Sequence, residues 1–141
     1  METQTQTAAN VKQAVPFFMV EDMKNSLRFY VDGLGFEITH RWEQGGNLRW
    51  CMMKLGETAL MLQEYASGRM PAGKLGQGVS ICFVCEDALA IYRDIKQRGI
   101  ETTQAPFVGN AMWVVSVTDP DGYRLDFESN TDVPEETVLS E

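Results

Sequence analysis

The stretch Thr118-Asp-Pro-Asp-Gly-Tyr-Arg-Leu-Asp-Phe-Glu-Ser129 decides how the chain is read. Asp119, Pro120, Asp121 and Gly122 are all turn formers, and Tyr123 to Phe127 alternate by side chain, so the stretch predicts a strand end, a tight turn and a second strand. Asp126, among apolar neighbours, is the best candidate for a reactive carboxylate.

Working back from it, Met112 to Thr118 reads as the preceding strand and Ile100 to Pro106 as an element before that. Asp87 is placed to cap a helix carrying Ala88, Ile91, Tyr92 and Ile95 on one face, with Gly99 as its stop. Gly78 to Cys85 reads as a strand. Residues 66–77, ASGRMPAGKLGQ, have no period and form a linker. Before the linker the same order appears: a strand at Ala14 to Val20, a helix capped by Asp22 and stopped by Gly33 and Gly35, then strands at Phe36–Trp42, Leu48–Leu55 and Thr58–Tyr65.

The halves echo one another in order. Val20-Glu21-Asp22 answers Val84-Cys85-Glu86-Asp87, Gly35-Phe36-Glu37 answers Gly99-Ile100-Glu101, Trp50 answers Trp113, and Leu60-Met61-Leu62 answers Leu125-Asp126-Phe127. Such echoes indicate an internal duplication. The expected organisation is a loose arm at 1–13, a βαβββ module at 14–65, the linker at 66–77, a second module at 78–129 and an acidic, fraying tail at 130–141.

At 141 residues with 44% apolar residues the chain can bury a core without disulfides. Three cysteines with no secretory leader argue against a disulfide framework. Cys82 and Cys85 form a CxxC, but positions three apart on a strand point to opposite faces, so the thiols are not expected to meet. The net charge of −8 argues against nucleic acid as a partner and favours cationic ligands. No run of 18 apolar residues suggests a membrane partner, and the chain is expected to be cytoplasmic.

The paired modules, together with VEDMKNSLRFYVDGLGFE in the first and DPDGYRLDF in the second, resemble the vicinal oxygen chelate superfamily, which includes glyoxalase I, extradiol dioxygenases, fosfomycin resistance enzymes and bleomycin resistance proteins. The resemblance implies an α+β fold: two paired βαβββ modules forming an open, eight-stranded, barrel-like sheet around a cavity, with helices outside. Metal-dependent members place ligands at positions that, counted from the motifs, fall on Val15, Met61, Val79 and Asp126. Of these, Asp126 alone is a usual donor, so no metal or other cofactor is expected, although a divalent metal is not excluded. A metal site using the lone His40 would have to recruit Glu64, Glu128 or a cysteine.

If those four positions face the cavity, alternation adds Phe17, Met19, Ala59, Gln63, Ile81, Phe83, Arg124 and Glu128, and turns Phe18, Val20, Leu60, Leu62, Val84, Leu125 and Phe127 toward the helices. The expected ligand-binding set is Phe17, Met19, Trp50, Met61, Gln63, Ile81, Phe83, Trp113, Arg124, Asp126 and Glu128. Two functions follow. One is a non-catalytic small-molecule-binding homodimer of the bleomycin resistance type, sequestering a cationic or aromatic ligand. The alternative is a lyase, isomerase or dioxygenase, either with an atypical metal site or metal-free, with Asp126 or Glu128 as general base.

Overall fold

The structure, a computed structural model, describes residues 8–66 and 68–140. Two four-stranded sheets make up the chain, and neither closes into a barrel. The first, sheet 1, contains β1 (Phe17–Val20), β2 (Glu37–Gln44), β3 (Asn47–Leu55) and β4 (Thr58–Glu64), in the order β1-β4-β3-β2. The second, sheet 2, contains β5 (Ser80–Val84), β6 (Phe107–Gly109), β7 (Met112–Thr118) and β8 (Arg124–Asn130), in the order β5-β8-β7-β6. Each module opens with a parallel pair, β1 on β4 or β5 on β8, and is otherwise antiparallel. The fold is α+β with duplicated topology, as the repeated motifs imply.

A helix follows the first strand of each module. Helix α1 (Met23–Leu27) is capped by Asp22, whose carboxylate accepts from Lys24 N and Asn25 N, and it runs on in wider, π-type turns over Arg28–Gly33. Helix α2 (Ala88–Gln97) is capped by Asp87. Gly35 and Gly99 follow the two helices at the same place, both with φ of 90°, a left-handed conformation that glycine adopts without a Cβ penalty.

The modules share one core. Phe18, Val20, Cys51, Met53, Leu60 and Leu62 from sheet 1 join Phe83, Val115, Val117, Leu125 and Phe127 from sheet 2. Phe36 meets Phe83 edge to face across the seam, and Phe83 stacks on Phe127 at 5.0 Å.

The Asp119–Gly122 turn is the clasp between modules. Gly122 N closes it onto Asp119 O at 3.1 Å. Asp119 is buried; its Oδ1 accepts from the amides of Asp121 and Tyr123, and its Oδ2 accepts from the hydroxyl of the fully buried Tyr30 at 2.7 Å. Asp121 accepts from Glu21 N, and Tyr123 stacks on Phe18 with centroids 4.1 Å apart while its hydroxyl donates to Met19 O. Burial raises the pKa of Asp119 above the ordinary carboxylate value, and the bonds from Tyr30, Tyr123 and Asp121 oppose that rise.

Two expectations about the second module change. The element expected at 100–106 is not a strand; pairing begins at Phe107, after Pro106, which has no N–H to donate to a ladder. The tail expected to fray instead lies against β6. Val108 N donates to Thr137 O, Glu136 N to Val108 O and Leu139 N to Pro106 O, and Phe107 bridges Val138. The Glu135 carboxylate accepts from the amides of Asn110 and Ala111, the two positive-φ residues of the β6–β7 hairpin. Residues 1–7 of the expected N-terminal arm lie outside the described residues.

Candidate functional site

Each sheet has one face in the core and one open face, and strand register says what the open faces carry. In sheet 1, Phe17 stands opposite Met61 and Met61 opposite Met52; Met19 stands opposite Gln63, Gln63 opposite Trp50 and Trp50 opposite Trp42. Residues directly opposite share a face. The neighbours on the alternate positions, Phe18, Val20, Cys51, Leu60 and Leu62, are all buried. Phe17 and Trp42 remain 47% and 52% exposed. This open face is therefore aromatic and thioether-rich, with Gln63 as a polar group.

The corresponding face of sheet 2 carries polar groups between Val84 and Val114, and of these Ser116 and Asp126 are buried. Cys82 stands opposite Asp126 and Asp126 opposite Ser116; Val84 stands opposite Glu128. Asp126 Oδ1 accepts from Ser116 Oγ at 2.6 Å and from Arg124 Nε at 3.0 Å, and Arg124 Nη2 also donates to Ser116 Oγ at 3.3 Å. Both bonds to Asp126 fall on Oδ1, so Oδ2 is the oxygen left for a ligand. The Cys82 thiol donates to Glu128 Oε2. Burial, then the bond to and charge of Glu128, push the Cys82 thiol up to about 12, so it is protonated at neutral pH and a poor nucleophile. A groove of about 300 Å³ runs between the modules, lined by Pro16 and Ala59 from one and Ile81, Cys82 and Phe83 from the other.

The expected site residues therefore divide. Phe17, Met19, Trp50, Met61 and Gln63 lie on the open face of sheet 1, and Arg124, Asp126 and Glu128 on that of sheet 2. Ile81, Phe83 and Trp113 do not. Parallel pairing sets Ile81 and Phe83 opposite Leu125 and Phe127, on the core face, where Phe83 is 6% exposed; Trp113 takes the core-face alternation of Val115 and Val117. Val84, expected to face a helix, is 77% exposed on the open face.

The cause is one residue. Between strand and helix cap the first module has Glu21 and the second has Cys85 and Glu86, so counting back from Val84 instead of Asp87 shifts β5 by one and flips every side chain. Counted from the caps, the partner of Val15 is Ser80 rather than Val79. Cys82, on the open face beside Asp126, was missed for the same reason. Trp42 was missed for a different reason: counted from the Gly45-Gly46 hairpin it falls opposite Arg49, and a bulge at Arg49 sets it opposite Trp50 instead.

With Val15, Met61, Ser80 and Asp126 at the four places, the donor set does not fit the metal held there by metal-dependent relatives of this fold: one carboxylate faces valine, methionine and serine. Among the described residues, no three His, Cys, Asp or Glu side chains converge on a point. Glu64 is committed elsewhere, pairing with Arg49 at 2.8 Å and accepting from Met23 N at the start of α1.

The sequence profile of the Glyoxalase/Bleomycin resistance protein/Dioxygenase superfamily matches residues 11–127. The chain belongs to that superfamily. Solved members of similar shape include a bleomycin-binding protein complexed with bleomycin, with 24% identity, a TM-score of 0.65, and 85% of this chain and 99% of that one covered. TnmS3, an antibiotic-binding protein from Streptomyces sp. CB03234, gives 19% identity and a TM-score of 0.63 over 86% and 98% of the two chains. TioX from Micromonospora sp. ML1 gives 15% identity and a TM-score of 0.68 over 85% and 99%. At these identities the likeness concerns the superfamily fold. No curated protein matches the chain in sequence.

Proposed function

We propose that this superfamily member is a non-catalytic small-molecule-binding protein that sequesters a cationic, aromatic ligand with side chains of its open sheet faces. The observation that carries the reading is their chemical contrast. Sheet 1 offers the Trp42–Trp50 pair with Phe17, Met19 and Met61, surfaces on which planar rings stack and to which thioethers adapt. Sheet 2 offers Asp126 and Glu128, in a chain of net charge −8 that draws cations toward it. The bleomycin-binding and antibiotic-binding neighbours support the same class of ligand.

Turnover has less support. The thiol nearest the groove is held protonated, and Asp126 is engaged by Arg124 and Ser116 in a way that orders it as an anchor. We extend the proposal to a homodimer, because the open face of sheet 1, with Phe17 and Trp42 exposed, leaves apolar area that a second copy can cover; a monomeric mass by light scattering refutes that part.

Tryptophan fluorescence titrated with bleomycin and with simpler cationic aromatics tests the binding reading. Saturable quenching without chemical change of the compound is expected, and Asp126→Asn should weaken a cationic compound by about tenfold, the loss of one charge-assisted contact. Conversion of the compound, or Asp126→Asn affinity equal to wild type, overturns it.

A further inference from the structure

The lone histidine lies on the sulfur-rich face because of a bulge. Ile38 pairs with Met53, yet His40, two residues on, pairs with Met52, one residue back; Thr39 is the extra residue. In a regular strand His40 would share the core-facing side of Ile38. The inserted residue turns it to the open face instead, opposite Met52, which in turn stands opposite Met61. The result is a row of imidazole, thioether and thioether across β2, β3 and β4, with His40 and Met61 about 10 Å apart at the backbone and Met52 between them.

Thr39 also engages one ring nitrogen of His40. Its hydroxyl donates to Met52 O at 3.2 Å and lies 3.0 Å from His40 Nδ1. When Met52 O takes the hydroxyl's one proton, the oxygen accepts at Nδ1 and the ring donates there. In the neutral imidazole this leaves the lone pair on Nε2. A histidine whose Nδ1–H is held by a neighbour while Nε2 is free is how proteins orient this side chain toward a metal. The next row along the same face is Trp42 opposite Trp50, whose ring faces favour a neighbouring cation.

We propose that His40, Met52 and Met61 form a site for a soft monovalent metal ion, copper(I) or its redox-inert analogue silver(I), on the open face of sheet 1. Thioether sulfur with imidazole nitrogen selects soft ions over zinc, magnesium or calcium, which favour thiolate, carboxylate and water. The site is separate from the four superfamily metal positions apart from the shared Met61. It rests on the bulge and the Thr39 bonds, not on the binding function proposed above.

The test uses silver(I) nitrate on the full chain with Cys82→Ser and Cys85→Ser, because accessible thiols would otherwise take the ion first; Cys51 is buried. In protein labelled with methyl-13C methionine, one equivalent should shift the Met52 and Met61 methyl signals while Met23 and Met53, buried in the core, stay in place. His40→Ala should weaken binding by at least about tenfold, the lower end of what a metal site loses even with a supporting group. An excess of zinc should not displace silver. Unmoved Met52 and Met61 signals, unchanged affinity in His40→Ala, or equal competition by zinc each overturn the proposal. Should the double serine variant fold poorly, wild-type protein preloaded with two equivalents of silver for Cys82 and Cys85 gives the same readout at the third equivalent.

Discussion

Replacing Tyr30 with phenylalanine removes one oxygen from the clasp between modules. The hydroxyl donates 2.7 Å to Asp119 Oδ2, with Tyr30 fully buried and Asp119 4% exposed, so water cannot replace it. A hydrogen bond to a buried carboxylate is worth about 1.5–3 kcal/mol, and its loss should lower Tm on the order of 5–10 °C in a domain of this size. The penalty should depend on pH. Asp119 has a folded-state pKa raised by burial, so its contribution to stability is complete below the unfolded value and is lost as pH rises through the raised one. The Tyr30 bond holds that rise in check. Without it the pKa climbs further, the variant loses stability over a wider window as pH rises, and the gap from wild type grows between about pH 4 and pH 7. Urea unfolding of both proteins at those two pH values measures it. A penalty under about 0.5 kcal/mol at pH 7, or one no smaller at pH 4, refutes the assignment of this bond as the clasp.

Three further perturbations follow. A Cβ at Gly33 would clash with Ile100 Cδ1, so Gly33→Ala should cost about 1–3 kcal/mol by thermal unfolding, with Ile100→Val in the same chain recovering part of it. Glu135→Ala removes the acceptor for the Asn110 and Ala111 amides, and should cost about 0.5–1.5 kcal/mol while speeding hydrogen exchange at Val108 and Leu139 more than at Val115. With its thiol pushed up to about 12, Cys82 should react with iodoacetamide at pH 8 far more slowly than a free thiol, its thiolate fraction being on the order of one in ten thousand. Glu128→Gln removes the charge that holds the proton, so it should speed that reaction.

The duplication and the ends of the helices were legible because local chemistry writes them: Asp22 and Asp87 cap, Gly35 and Gly99 stop, and the Asp-Pro-Asp-Gly run turns. Faces were legible where strand and partner keep one register, and Phe17, Met61 and Asp126 lie on open faces as alternation implies. Single-residue insertions were not legible. Glu86 beyond Cys85 moves Ile81 and Phe83 into the core, and Thr39 moves His40 out of it, because a period of two turns each extra residue into a change of face. The clasp partners Tyr30 and Asp119 lie 89 residues apart, and nothing in either neighbourhood announces the other. The tail misled for a different reason: its acidic composition reads as solvated chain, yet Glu135 is used as an acceptor for two amides that a tight hairpin leaves free.

That tail also limits how the molecule can grow. A sheet is extended most easily by hydrogen bonding another strand to its last one, and β6, the outermost strand of sheet 2, already has residues 136–139 in that place. At the far end of sheet 1, β2 is broken by two irregularities and carries Glu37, Arg41 and Glu43, a poor template for a neighbour. Neither of these two rims is a good template for strand addition, so edge-to-edge growth into a fibre is disfavoured there.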